Sequence, residues 1–104
     1  MGFANAVFAL VVEIPKGKVT TYKEIAHALS TKAYRAVGQA LKQNKQQLII
    51  PCHRVVAHDG SLGGYCGKAH NPRKKELLKR EGIAFDGEKI KEFKKILYRF
   101  DKKT

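Results

Sequence analysis

Cysteine, histidine and arginine stand side by side in the stretch IIPCHRVV, residues 49–56. A thiol ordinarily ionises near pH 8.5, and only the thiolate is a strong nucleophile or metal ligand. A neighbouring imidazole can take the proton, and a neighbouring guanidinium can stabilise the anion. Cys52 can therefore be inert packing, a metal ligand, half of a disulfide, or a nucleophile activated by His53. Cys66 is the second cysteine. Neither belongs to a C-x-x-C pair, and His53, His58 and His70 have no spacing that fits a tetrahedral zinc template. No metal and no cofactor is expected. In a cytosolic chain the two thiols are not expected to form a structural disulfide.

The surroundings of this motif are basic. The 104 residues carry 21 Lys and Arg against 9 Asp and Glu, a net charge of +12. Such a chain is drawn to polyanions, because each neutralised phosphate releases condensed counterions. A lysine-rich solubility coat is the competing account, and Lys89, Lys91, Lys94, Lys95, Lys102 and Lys103 fit it. The longest apolar run, AVFALVV at 6–12, has no basic region before it and no cleavage site after it. It is far shorter than the ~18 residues of a membrane span. The expectation is one domain over 1–104, cytoplasmic or nucleoid-associated, with no membrane partner.

The elements that position the motif follow from periodicity and caps. Phe3, Val7, Leu10, Val11 and Ile14 share one helical face, which Pro15 and Gly17 end. Thr21 and Glu24 form a capping box for a helix from about Tyr22 to Leu29, with Ile25, Ala26 and Leu29 facing inward. Ser30 and Thr31 are the next capping residues, ahead of a helix over about 32–43 that buries Val37, Ala40 and Leu41. Two short helices across a tight turn make a helix-turn-helix candidate. Residues 48–56 read as a buried extended or turn segment, and HDGSLGGY at 58–65 as a turn and loop. Asn71 and Pro72 start a helix that reaches about Arg80, with Gly82 as its stop. FDGEKI reads as a turn or small hairpin. Ile90, Phe93, Ile96, Leu97 and Phe100 predict a last amphipathic helix. The fold class is mainly α, with a helix-turn-helix, winged-helix-like core.

Five blocks occur in one order: GKVTTY at 17–22, RAVGQAL at 35–41, PCHRVV at 51–56, GSLGGYCG at 60–67 and LLKREG at 77–82. Together they resemble the C-terminal, DNA-binding domain of the O6-alkylguanine-DNA alkyltransferases, also called methylated-DNA–protein-cysteine methyltransferases. The resemblance covers about residues 1–85.

It implies direct, irreversible transfer of an alkyl group from O6 of guanine in duplex DNA, with O4 of thymine as a further substrate, to the protein's own cysteine. That cysteine falls on Cys52. His53 matches the family's base, which acts through a water, and Glu81 its orienting acid. Tyr22 matches the tyrosine that donates towards a ring nitrogen of the base. Asn44 matches an asparagine bracing the turn before the cysteine. Tyr65 would wall the base pocket together with Val55, while Cys66 and Gly67 would direct backbone N–H groups at O6. Arg35 matches the arginine that fills the stack when the base is swung out, on a helix that enters the minor groove. Thr21, Ala36 and Gly38 belong to the same DNA-facing surface, the small residues allowing close approach to DNA and to the neighbouring helix. Arg54 pairs with a carboxylate under the site or with a DNA phosphate. The implied protein is a monomer. It departs from the family in lacking a preceding domain, in Asn44-Lys45 where relatives often read Asn-Pro, and in Gly67-Lys68 with extra residues up to Pro72. The alternative is a non-catalytic binder like the alkyltransferase-like proteins, which keep the arginine and tyrosine but replace the reactive cysteine.

Overall fold

A computed structural model describes residues 2–44, 49–62 and 72–100, with the side chain of residue 72 left aside. In chain order the elements are α1 (Phe3–Val11), β1 (Thr20–Thr21), α2 (Tyr22–Ala28), α3 (Tyr34–Lys42), a 3-10 turn (Cys52–Arg54), β2 (Val55–Val56), α4 (Pro72–Arg80), β3 (Phe85–Asp86), β4 (Lys89–Ile90) and α5 (Phe93–Ile96). The domain is small and mostly helical, as its periodicity predicts.

Helix α1 packs on α2 and α3, and α2 on α3. Their apolar stripes meet in one core of Val7, Val11, Ile14, Ile25, Ala26, Val37, Ala40 and Leu41, joined by Cys52 and Val55. Burying a side chain such as Ile25 contributes about 2 kcal/mol. A second cluster, Val19, Val56, Leu62, Leu78, Ile83 and Ile90, lies under α4 and the β3–β4 hairpin. Strands β1 and β2 pair in parallel, Thr20 with Val55 and Thr21 with Val56. That pairing ties the start of α2 to the segment just after Cys52.

Local signals set several boundaries. Thr21 Oγ1 accepts from Glu24 N at 3.0 Å, so Thr21 caps the start of α2. Helix α1 is shorter than its apolar face suggests. It ends at Val11, and Ile14 reaches the core from a following turn in which Ile14 N donates to Val11 O. Ser30 caps nothing ahead of it. It takes φ 59°, while Ser30 N donates to His27 O and Thr31 N to Ala26 O, both at 2.9 Å. This is a Schellman closure of α2 with serine where glycine is usual. Thr31 Oγ1 accepts from Ala33 N, and α3 begins at Tyr34, two residues later than expected.

The predicted last helix is mostly absent. Ile90 belongs to the β3–β4 hairpin, Glu92 takes φ 52°, and α5 covers only Phe93–Ile96. The chain then runs extended beside Val19. Val19 N donates to Ile96 O at 3.0 Å, Tyr98 N donates to Val19 O at 2.6 Å, and Thr20 Oγ1 donates to Tyr98 O at 2.8 Å. The open edge of the Val19–Thr21 segment offers these backbone bonds, and they outweigh a helical period that is only locally favoured.

Candidate active site

Cys52 opens the 3-10 turn at the point where core and surface meet. Its side chain packs among the core residues and it is 6% exposed. The turn is closed by Cys52 N on Ile50 O at 2.8 Å and Arg54 N on Pro51 O at 2.9 Å. Asn44 Nδ2, from the end of α3, donates to the same Ile50 carbonyl at 2.9 Å. The asparagine thus fixes the approach to the cysteine from a separate element.

Glu81 gathers the two residues after Cys52. It follows the last residue of α4 and is held by a second Schellman closure, in which Gly82 N donates to Lys79 O and Ile83 N to Leu78 O, with Gly82 at φ 93°. Its Oε2 lies 2.8 Å from His53 Nε2. Arg54 donates Nε to Oε1 at 3.0 Å and Nη2 to Oε2 at 2.8 Å, and its Nη1 donates to the Ile14 carbonyl at 2.8 Å. Arg54 therefore pairs with a carboxylate beneath the site.

The charges reinforce this order. Burial alone would push the Glu81 carboxyl up, but the hydrogen bonds from Arg54 and His53 hold it below the usual carboxylate range. An ionised carboxylate only accepts, so the His53 hydrogen sits on Nε2 and the lone pair on Nδ1. Burial lowers the His53 pKa against the opposing pull of Glu81, keeping the ring neutral. A neutral, oriented imidazole directly after a cysteine is what proton removal from a thiol requires.

A residue the motif reading did not single out completes the surroundings. Lys74 of α4 is 1% exposed. Its Nζ donates to the Val55 carbonyl at 2.6 Å and lies 5.9 Å from the centroid of the Tyr22 ring. Its signal was present in the sequence, since Lys74 sits three and four positions before Leu77 and Leu78, on the stripe that faces the core.

The residues expected to face DNA have a different setting. Arg35 lies on the first turn of α3 and is exposed, next to Tyr34, which is 40% exposed. Ala36 and Gly38 are half-buried on the same helix. A Cβ on Gly38 would meet no heavy atom within 4 Å. The neighbouring helix therefore does not require that glycine. Thr21 is 4% exposed and its hydroxyl is engaged in the α2 cap, so it positions Tyr22 without presenting a side chain at the surface. Val55 is fully buried in the core, with its carbonyl on Lys74. A groove of about 400 Å³ opens beside Tyr22, lined by Tyr22, Lys23, Tyr34, Ala57 and His58. Cys52 is not among its described lining residues. Tyr65, Cys66 and Gly67, with Lys45, Lys68 and His70, lie outside the described residues.

Comparison with known proteins gives one consistent picture. The model of the 6-O-methylguanine DNA methyltransferase, DNA binding domain, matches residues 2–83. A methylated-DNA–protein-cysteine methyltransferase of Saccharolobus islandicus is 51% identical over 81 residues, covering 78% of this chain and 51% of the relative. This chain thus spans about half the length of that curated relative. Among solved structures, the Schizosaccharomyces pombe protein Atl1, in complex with damaged DNA containing O6-carboxymethylguanine, superposes with a TM-score of 0.78 at 31% identity, covering 93% of this chain and 94% of Atl1. The O6-methylguanine-DNA methyltransferase of Pyrococcus kodakaraensis superposes with a TM-score of 0.70 at 42% identity, covering 80% of this chain and 47% of that one.

Proposed function

Because this chain belongs to the 6-O-methylguanine DNA methyltransferase family through that family's DNA-binding domain, we propose that it repairs DNA by moving an alkyl group, methyl above all, from O6 of guanine onto Cys52, once and irreversibly. The observation that carries the reading is the relay at the nucleophile: Arg54 and His53 both held by one Glu81 carboxylate, directly after Cys52. The reading takes residues 1–104 as one catalytic and DNA-binding domain acting in the cytoplasm on duplex DNA.

In this mechanism Glu81 keeps His53 in one tautomer, and Nδ1 takes the thiol proton through a water. General-base assistance of this kind contributes roughly 10²–10⁴ in rate. The thiolate attacks the alkyl carbon in line, the S–C bond forming as the C–O6 bond breaks, and the purine leaves with the C–O6 electron pair. Tyr22 donates towards the departing base, and the family resemblance assigns to Tyr65, Cys66 and Gly67 the pocket and the backbone donors that would stabilise the developing anion. A guanine within the duplex is out of reach of a buried sulfur, so the base must be extruded. Arg35 fills the vacated stack, its planar cation replacing the lost contacts.

Incubation with duplex containing O6-methylguanine should add about 14 Da, one CH2, to the peptide holding Cys52, as expected of an alkylated nucleophile. Cys52→Ala should abolish the gain and retain DNA affinity. Transfer surviving in that variant would exclude Cys52 as the acceptor.

One observation favours a second reading. Atl1, in complex with damaged DNA containing O6-carboxymethylguanine, superposes with a TM-score of 0.78, against 0.70 for the Pyrococcus alkyltransferase. On that account the chain binds and flags alkylated bases without transfer. Tight binding to damaged duplex with no mass gain at long times would select it.

A further inference from the structure

Residues 96–100 lie beyond the stretch 2–83 that the family model matches, yet they are built into the strand that leads to Tyr22. Strand β1 is two residues long and pairs with β2 along one edge. So short a parallel pair does not hold its register alone, and a third strand or a packed face is needed. Residues 96–100 cover the other edge. Val19 N donates to Ile96 O at 3.0 Å and Tyr98 N to Val19 O at 2.6 Å, with Val19 and Leu97 in a parallel bridge. Thr20, which is fully buried, adds a side-chain bond from Oγ1 to the Tyr98 carbonyl at 2.8 Å. Tyr98 and Phe100 then meet edge to face, centroids 5.2 Å apart, and pack on the core against which Tyr22 also packs. Arg99, between them, is exposed and lies 3.8 Å from Glu24, whose N–H the Thr21 hydroxyl accepts. The 19–21 segment is thus the middle of three parallel strands, with the cysteine segment on one edge and residues 96–100 on the other. Tyr22 is the next residue, the first of α2, and is half-buried.

We propose that residues 96–100 are a strap that positions Tyr22 for the reaction, with Thr20 and Tyr98 as the positioning residues. The inference rests on the reading in which Tyr22 donates towards the departing base. A hydroxyl that must reach a ring nitrogen at about 3 Å loses its bond when the backbone carrying it shifts by a fraction of that distance. Misplacement on that scale is costly in rate even when the reacting groups are intact. The strap fixes the 19–21 backbone from the edge that β2 leaves open, so Tyr22 is aimed before a base arrives. The pairing of Thr20 with Val55 refers that aim to the segment that follows Cys52.

The test uses the full chain and the rate of methyl transfer from O6-methylguanine duplex. Thr20→Val keeps the branched shape and removes the donor to the Tyr98 carbonyl, and transfer should slow about fivefold. Thr20→Ser, which keeps the hydroxyl, should stay near the wild-type rate. A residue that acts through Tyr22 loses its effect once the Tyr22 hydroxyl is gone. In a Tyr22→Phe background, Thr20→Val should therefore change the rate by less than about twofold. A fivefold loss in both backgrounds would make the strap a support of the fold at large and overturn the inference. So would an unchanged rate in a folded Thr20→Val protein. Should that variant fail to fold, amide hydrogen exchange in the wild type decides the matter. Coupling between two sites is reciprocal, so bound O6-methylguanine duplex should slow exchange of the Val19 and Tyr98 amides several-fold. Equal exchange with and without duplex refutes the coupling. A wild type that takes up no methyl removes the transferase reading, while amide exchange with duplex bound still decides the role of the strap.

Discussion

The surroundings of Cys52 and the first turn of α3 are built on opposite principles. Beside the cysteine the described charged groups are engaged within the fold: Glu81 holds His53 and Arg54, and Lys74 holds the Val55 carbonyl. On α3, Tyr34 and Arg35 are exposed and Gly38 faces open space. A buried charge must be satisfied before substrate arrives, because leaving it unpaired costs several kcal/mol. A side chain that meets DNA gains by staying solvated until the phosphates arrive. The cluster beside Cys52 is therefore pre-assembled, and the first turn of α3 is left open to solvent.

The largest effect should come from breaking the pre-assembled side. Glu81→Gln removes the charge that Arg54 and His53 share, and Arg54 and Glu81 are only 16% and 10% exposed at the side chain. A loss of about 3 kcal/mol in urea unfolding is expected, with methyl transfer slowed about a hundredfold. An unchanged midpoint would mean that Arg54 finds another partner.

Stability should also depend on pH through Lys74. Its folded pKa is about 7 against 10.5 for the ordinary group. Between those values the unfolded chain binds more protons, so this contribution is full above the unfolded value and is lost as pH falls towards 7. Across that window the wild type should gain on Lys74→Met by roughly 1 kcal/mol per pH unit. Equal pH profiles would show that the amine is not perturbed.

On the open side, Arg35→Ala should leave stability within about 0.5 kcal/mol. Transfer from duplex should slow at least about tenfold, corresponding to ~1.4 kcal/mol, while reaction with free O6-benzylguanine stays unchanged. Equal losses on both substrates would remove the extrusion role. The smallest change tests the turn between α2 and α3. Ser30→Gly relieves a left-handed serine and should raise stability by about 1 kcal/mol. A loss would show that the hydroxyl has a role there.

Elements governed by contacts within a few residues were legible from the chain alone. The Thr21 cap, the Gly82 stop, the inward faces of α2 and α3, and the adjacency of Cys52 and His53 all follow from spacing. The misread places were those settled by distant partners. Leu97 and Tyr98 leave the helical pattern because Val19, far earlier in the chain, offers backbone bonds. Ser30 looks like a helix start by type, yet the turn before α3 makes it the end of α2.

The sequence by itself therefore determined a small, basic, mostly helical protein with a thiol beside an imidazole. Periodicity and caps act over about one helical turn, and charge is a sum over residues. Only the tertiary structure decided that Arg54 meets Glu81, that Thr21 is buried, and that a lysine of α4 stands against the cysteine segment. Those facts depend on which surfaces exclude water together, and no local pattern carries that information.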